Sequence, residues 1–216
     1  HIAVKNADKA DTEGWPNSLR QIAAQSYAQA NEGSEATAEE GPWRITLDFP
    51  SFYPFMQHHR KRDHREQVYR ANAQKASTGE LDNSELIAKT LRLRKEQAGL
   101  LGFADYAEWS LDAKMAPDAS AVARMVDDLQ AASKAHMQKD MDELQALATE
   151  RGQSEPVMQW DTAFWSERLR EAKFDYTDDQ LRPYFPLPNV LDGLFGLAER
   201  LFDIEIQRAD DEEAHS

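Results

Sequence analysis

Three of the six histidines in this 216-residue chain fall in one run, HHRKRDH at 58–64. Imidazole and carboxylate at helical spacing are what a metal ion needs. On a helix His59 and Asp63, four residues apart, would share a face, with His58 or His64 close by. The competing reading is a turn: Asp63 followed by Glu66 has the pattern of a capping box, and a cap changes the backbone direction between His59 and Asp63. The run is therefore read as a solvated turn, with a metal site on His58, His59 and His64 as the weaker alternative. His136 lies beside the apolar face of a long helical stretch with Asp140 at i+4, and is read as a partly buried, hydrogen-bonded histidine. The run Asp210, Asp211, Glu212, Glu213 lacks the spaced oxygens and the glycine of a calcium loop. The chain has no cysteine, no glycine-rich phosphate loop, no G-x-S-x-G and no H-E-x-x-H. No residue is assigned as catalytic or as a metal ligand.

The elements that would position such groups are mostly helical. Asn17 or Ser18 opens a helix over 17–30, with Leu19, Ile22, Ala23 and Tyr27 on one side. NEGSEATAEEGP (31–42) reads as a mobile acidic loop. WRITLDF alternates, placing Trp43, Ile45, Leu47 and Phe49 on one face of a short strand that Pro50 ends. Asp63 opens a helix to about Ser77. Residues 82–84 cap the next, where Leu86, Leu93 and Leu100 face inward and Gly102 supplies the left-handed stop. A short aromatic helix follows with Phe103, Tyr106 and Trp109. Asp118 caps the longest helix, to about Arg151, turned inward by Val122, Val126, Leu129, Met137, Met141 and Leu144. Asp161 caps a helix bearing Phe164, Trp165 and Leu169. LRPYFPLP (181–188) must be largely extended, and a last helix follows with Val190, Leu191, Leu194, Phe195, Leu201 and Phe202 inward. Ile204 and Ile206 alternate as the start of another strand. The fold class is mainly α, with one or two short strands.

Bulk properties narrow the partners. The net charge of −14 repels nucleic-acid phosphates and anionic lipid, so neither is expected. No window approaches the roughly 18 apolar residues of a membrane span, and no secretory leader is visible. The absence of cysteine fits a reducing compartment, and the chain is expected in the cytoplasm. It starts at His1 rather than Met and stops just after the strand-like IEI, so both ends read as cut.

Three blocks taken together carry a family likeness: REQVYRANAQKAS (65–77) running on to DNSELIAKTLRLRKEQAGLLGFADYAEWSLDAKMA, then QWDTAFW (159–165), then DDQLRPYFPLPNVLDGLFGLAERLFDIEI (178–206). In this order and spacing they resemble the middle of the M3 family of zinc metallopeptidases, the group of oligopeptidase A, dipeptidyl carboxypeptidase and thimet oligopeptidase. The strand-like ITLDFPSFYPFM (45–56) fits the same pattern. The likeness divides the chain into an N-terminal helix and mobile loop (1–42), an M3-like helical region (43–206) and a truncated acidic tail (207–216).

The resemblance implies a two-lobed, neurolysin-like helical protein around a narrow channel that admits short peptides. It also implies a zinc ion held by an H-E-x-x-H helix and a further glutamate, activating water for peptide hydrolysis. No position of this chain matches that motif, so the zinc is expected in the full-length enzyme and not on this segment. The segment is expected to be helical channel wall and scaffold, inactive alone, with the missing N- and C-terminal parts of the same enzyme as its partners. The alternative is a non-catalytic helical interaction module derived from a peptidase framework. Arg182 and Tyr184 are the candidate channel contacts, against a reading in which they brace the proline-fixed loop. Trp165 stands where the family commonly has tyrosine, which keeps bulk and removes a hydroxyl.

Overall fold

The computed structural model describes residues 3–31, 33, 35–174 and 178–207, and the chain is mainly α. It forms two compact units, residues 1–170 and 171–216. The first opens on a strand that the composition of 1–42 did not suggest, β1 (Ala3–Ala7), paired antiparallel with β2 (Trp43–Thr46). Between them α1 (Asn17–Ala30) buries Leu19, Ala23 and Ala24, residues one helical turn apart that face the sheet. β2 is shorter than its alternating pattern. Phe49 and Pro50 start α2 (Phe49–His58) instead of ending a strand, since proline in a first turn lacks only an N–H that has no intrahelical partner there. Phe49 is accordingly exposed, whereas Trp43, Ile45 and Leu47 are buried with Trp15, Leu19, Phe55, Met56 and Val68 in one core.

α3 (Arg62–Ala73) begins one residue before Asp63, so Asp63 is an exposed first-turn residue and not the cap. α4 (Ser84–Leu100) starts where Asp82 accepts hydrogen bonds from the Ser84 amide and hydroxyl. It stops at Gly102, whose φ of +85° lets the Phe103 amide reach back to the Ala98 carbonyl. α5 (Tyr106–Asp112) is capped by Asp105. α6 (Ala119–Glu150) is capped by Asp118, whose Oδ1 accepts from the Ala121 amide at 2.7 Å. α7 (Gln159–Phe174) packs Trp165 on Leu144 and Ala148 of α6.

The apolar stripes are where the periodicity puts them, but much of their length has no cover. Leu86, Leu93 and Leu100 of α4 are exposed, and so are Val122, Val126, Leu129 and Met137 of α6. Burial on α6 is confined to its last turns. In the second unit, α8 (Asp178–Leu181) runs into a 3₁₀ turn at Arg182–Tyr184, and α9 (Leu187–Phe202) takes Pro188 into its first turn. Residues 181–188 are therefore mostly turned rather than extended. The apolar residues of α9, among them Val190, Leu194 and Phe202, are exposed. Residues 204–207 form no strand, because nothing pairs with them among the described residues. No helix among the described residues is long and apolar enough to cross a membrane.

Candidate functional site

The histidine run is folded into the core and is not a solvated turn. α2 carries Phe55, and His59 follows it by one helical turn just past the helix end. The two rings stack at 4.3 Å between centroids, and His59 has no exposed surface. Trp15, from the segment before α1, meets both rings and donates its Nε1–H to His59 Nδ1 at 3.1 Å. His64, in the first turn of α3, stacks on the other face of this pair, with its Nδ1 2.9 Å from His59 Nε2. The 3₁₀ turn Lys9–Thr12 brings the buried Asp11 beside them, with Oδ1 3.8 Å from His64 Nδ1. His58 points elsewhere, its Nδ1 3.3 Å from Arg168 Nη2.

Asp11, His59 and His64 have the ligand types and closeness of a metal triad. Their hydrogen-bond roles do not fit one. A histidine that ligates through Nε2 keeps a proton on Nδ1 and donates it, yet His59 Nδ1 faces a group that can only donate, the Trp15 indole. Asp11 Oδ1 is held by the Lys61 ammonium at 2.7 Å, which a cation would have to displace. Burial alone would raise the Asp11 carboxyl. The Lys61 ammonium, the Asp8 amide and the charge near His64 together hold it below the usual 3.8. The same contact raises Lys61. The zinc that the sequence resemblance implies therefore has no fitting site in this cluster. Zinc titrated into the chain is expected to leave its melting temperature unchanged. A saturable rise would reveal a site, because a ligand that binds only the folded state stabilises it.

A second polar node lies behind the first. Arg65 is 2% exposed; its Nη2 donates to Asp161 Oδ1 at 2.8 Å, and its Nη1 to the carbonyls of His59 and Arg60 at 2.8 and 3.0 Å. Burial lowers the Arg65 guanidinium from its usual value, and the bond to Asp161 acts the other way. Asp161 sits inside the first turn of α7 and does not cap it. It accepts from Arg62 as well, and from the Met158 amide at 3.1 Å. The guanidiniums lie over aromatic faces, Arg65 on Phe164 at 4.2 Å and Arg70 on Trp160 at 5.1 Å. Tyr69 and Gln159 add a hydrogen bond across the same junction. The node locks α3 to α7 and contains no nucleophile or general acid–base pair.

The remaining candidates stay apart. His136 and Asp140 are exposed on α6, so the expected burial of His136 does not occur. Tyr184 is exposed on its 3₁₀ turn, the side chain of Arg182 lies outside the described residues, and so do Asp210 to Glu213. Trp165 keeps a polar end in place of a tyrosine hydroxyl, with its Nε1 donating to Gln153 at 3.0 Å.

Residues 55–216 match the model of peptidase family M3. The chain is 49% identical over 206 residues to an organellar oligopeptidase A, chloroplastic/mitochondrial, of Arabidopsis thaliana, which covers 94% of this chain and 26% of that protein. It is 34% identical over 209 residues to the oligopeptidase A of Escherichia coli, covering 94% and 30%. To the dipeptidyl carboxypeptidase of the same organism it is 30% identical over 200 residues, covering 90% and 29%. The chain thus spans less than a third of the length of these curated relatives.

Proposed function

We propose that this chain, which belongs to peptidase family M3, is a helical scaffold and channel-wall segment of a zinc-dependent oligopeptidase that hydrolyses short peptides. The zinc ligands and the general base come from other parts of that enzyme. The observation that carries this reading is the uncovered apolar surface of α4, α6 and α9, where well-capped helices present long hydrophobic stripes to water. Contiguous apolar surface of that extent marks an interface, and the relatives have more than two thirds of their length left to cover it.

What this chain's own residues do is hold geometry. The Asp161 node fixes α3 against α7, and the capped α6 fixes the spacing of its two ends. Arg182 and Tyr184 are kept as the peptide contacts of the channel. A cytoplasmic setting fits the cysteine-free, acidic sequence, and the relatives' names include a cytosolic oligopeptidase A beside the organellar one.

The test is a fluorogenic peptide assay on two proteins, the 216-residue chain and the same chain joined to the portion that follows it in the relatives. The joined protein should cleave the peptide and lose activity to a chelator, while the short chain should show none. Zinc-dependent cleavage by the short chain alone would overturn the assignment. An inactive joined protein that folds would favour a non-catalytic helical interaction module.

A further inference from the structure

We propose that the His59–His64 pair is a proton-sensing latch that ties the segment before α1 to the α2–α3 elbow and opens when the pair takes up one more proton. The proposal rests on counting protons on four ring nitrogens. Trp15 Nε1 can only donate, so His59 Nδ1, 3.1 Å away, carries no hydrogen. A neutral His59 then holds its proton on Nε2 and donates it to His64 Nδ1 at 2.9 Å. His64 in turn holds its proton on Nε2, which faces Asp63 Oδ2 at 3.8 Å. The neutral pair has room for two protons, and each has an assigned place.

A third proton has nowhere to sit without loss. On His59 Nδ1 it opposes the indole N–H. In the gap between the rings it sets two N–H groups against each other at 2.9 Å. Either outcome breaks a buried hydrogen bond that joins segments 44 or five residues apart. The surroundings do not offset this. The Asp11 carboxylate, from the 3₁₀ turn, is already paired with Lys61, and its other oxygen takes the Asp8 amide at 3.3 Å. Asp63 is four-fifths exposed and screened. Arg65, from α3, spends its Nη1 on the His59 and Arg60 carbonyls, and Arg60 pairs with Glu13. From α1, Arg20 donates to the Thr12 carbonyl.

The sign follows from the two states. Unfolded histidine takes up its proton near pH ~6.5 without losing any bond, whereas in the folded chain the same event breaks one, so stability falls as the pH drops through that region. Asp11 is held below its usual 3.8 and Lys61 above its usual 10.5, so their pair keeps both charges throughout and does not contribute to the change.

The experiment compares the full 216-residue chain with His64→Asn, whose amide oxygen can still accept from His59 Nε2–H and cannot take a proton. Between about pH 8 and about pH 5.5 the wild-type melting temperature should fall by about 3–5 °C more than that of the variant. Parallel pH profiles would overturn the latch. A second readout does not depend on any variant folding: histidine ring NMR of the wild type near pH ~8 should show His59 protonated on Nε2 alone. A proton on His59 Nδ1 at that pH would also overturn it.

Discussion

Asp161→Ala is expected to lower the stability of the first unit by about 3–5 kcal/mol, the range for breaking a buried ion pair from one side. The carboxylate is fully buried and accepts from Arg65 at 2.8 Å, from Arg62 at 3.0 Å and from the Met158 amide at 3.1 Å. Its removal strands Arg65, which is 2% exposed and has no route to water. The Arg65 contacts to the His59 and Arg60 carbonyls cannot neutralise a charge, and stacking on Phe164 contributes only ~0.5–2 kcal/mol. Asp161→Asn keeps an acceptor and loses the charge, so its loss should be smaller. The pair Arg65→Met with Asp161→Leu should recover much of the damage, because two desolvated charges leave together. Chemical denaturation at low and high salt checks all three. A loss under about 1 kcal/mol for Asp161→Ala, or one that high salt abolishes, would show a surface-like bridge instead.

That aspartate illustrates what a sequence conceals. QWDTAFW reads as a helix start, and a helix does start there, but the partners that define Asp161 lie 96 and 99 residues earlier in α3. No local spacing reports such a contact. The histidine run is a different case. Taken as a solvated turn, it is buried because Trp15 and Asp11, also distant in sequence, close over it. One local signal pointed that way: His59 follows Phe55 by four residues, so its ring continues the buried face of α2. The capping pattern at Asp63 outweighed that spacing and was misleading, since the helix starts at Arg62 with Asp63 exposed.

Helix identity was legible because caps and stops are local chemistry. Asp118 bonds the Ala121 amide and Gly102 takes the left-handed turn, both as the residue types require. Burial was not legible for the same helices. A 3.6-residue period identifies which face of α6 is apolar, but whether Leu129 or Leu144 is covered depends on what lies opposite. Strand β1 escaped notice because AVKNA owes its state to pairing with β2 through Ala7↔Trp43 and Asn6↔Arg44. The family likeness, by contrast, needed only order and spacing, and the M3 match over residues 55–216 bears it out.

Trp43→Ala should cost about 3–5 kcal/mol, through the large cavity it leaves between β2 and α1. Trp43 is 2% exposed in the core that holds Leu19, Ile45 and Phe55, and its Nε1 donates to the Ala38 carbonyl at 3.3 Å. The ring also explains a glycine. A Cβ on Gly41 would stand 2.6 Å from Trp43 Cε3, closer than such atoms approach, and the backbone there has φ +70°. Gly41→Ala should therefore destabilise by two separable effects, collision with the indole and a left-handed backbone that costs an alanine ~1–2 kcal/mol. In the double variant the collision disappears with the ring while the backbone effect stays. The two costs should then fall short of additivity by about 0.5–3 kcal/mol, the range for residues in contact. Denaturation of the four proteins of this cycle measures the shortfall. Additive costs would mean that the indole is not what excludes a side chain at position 41.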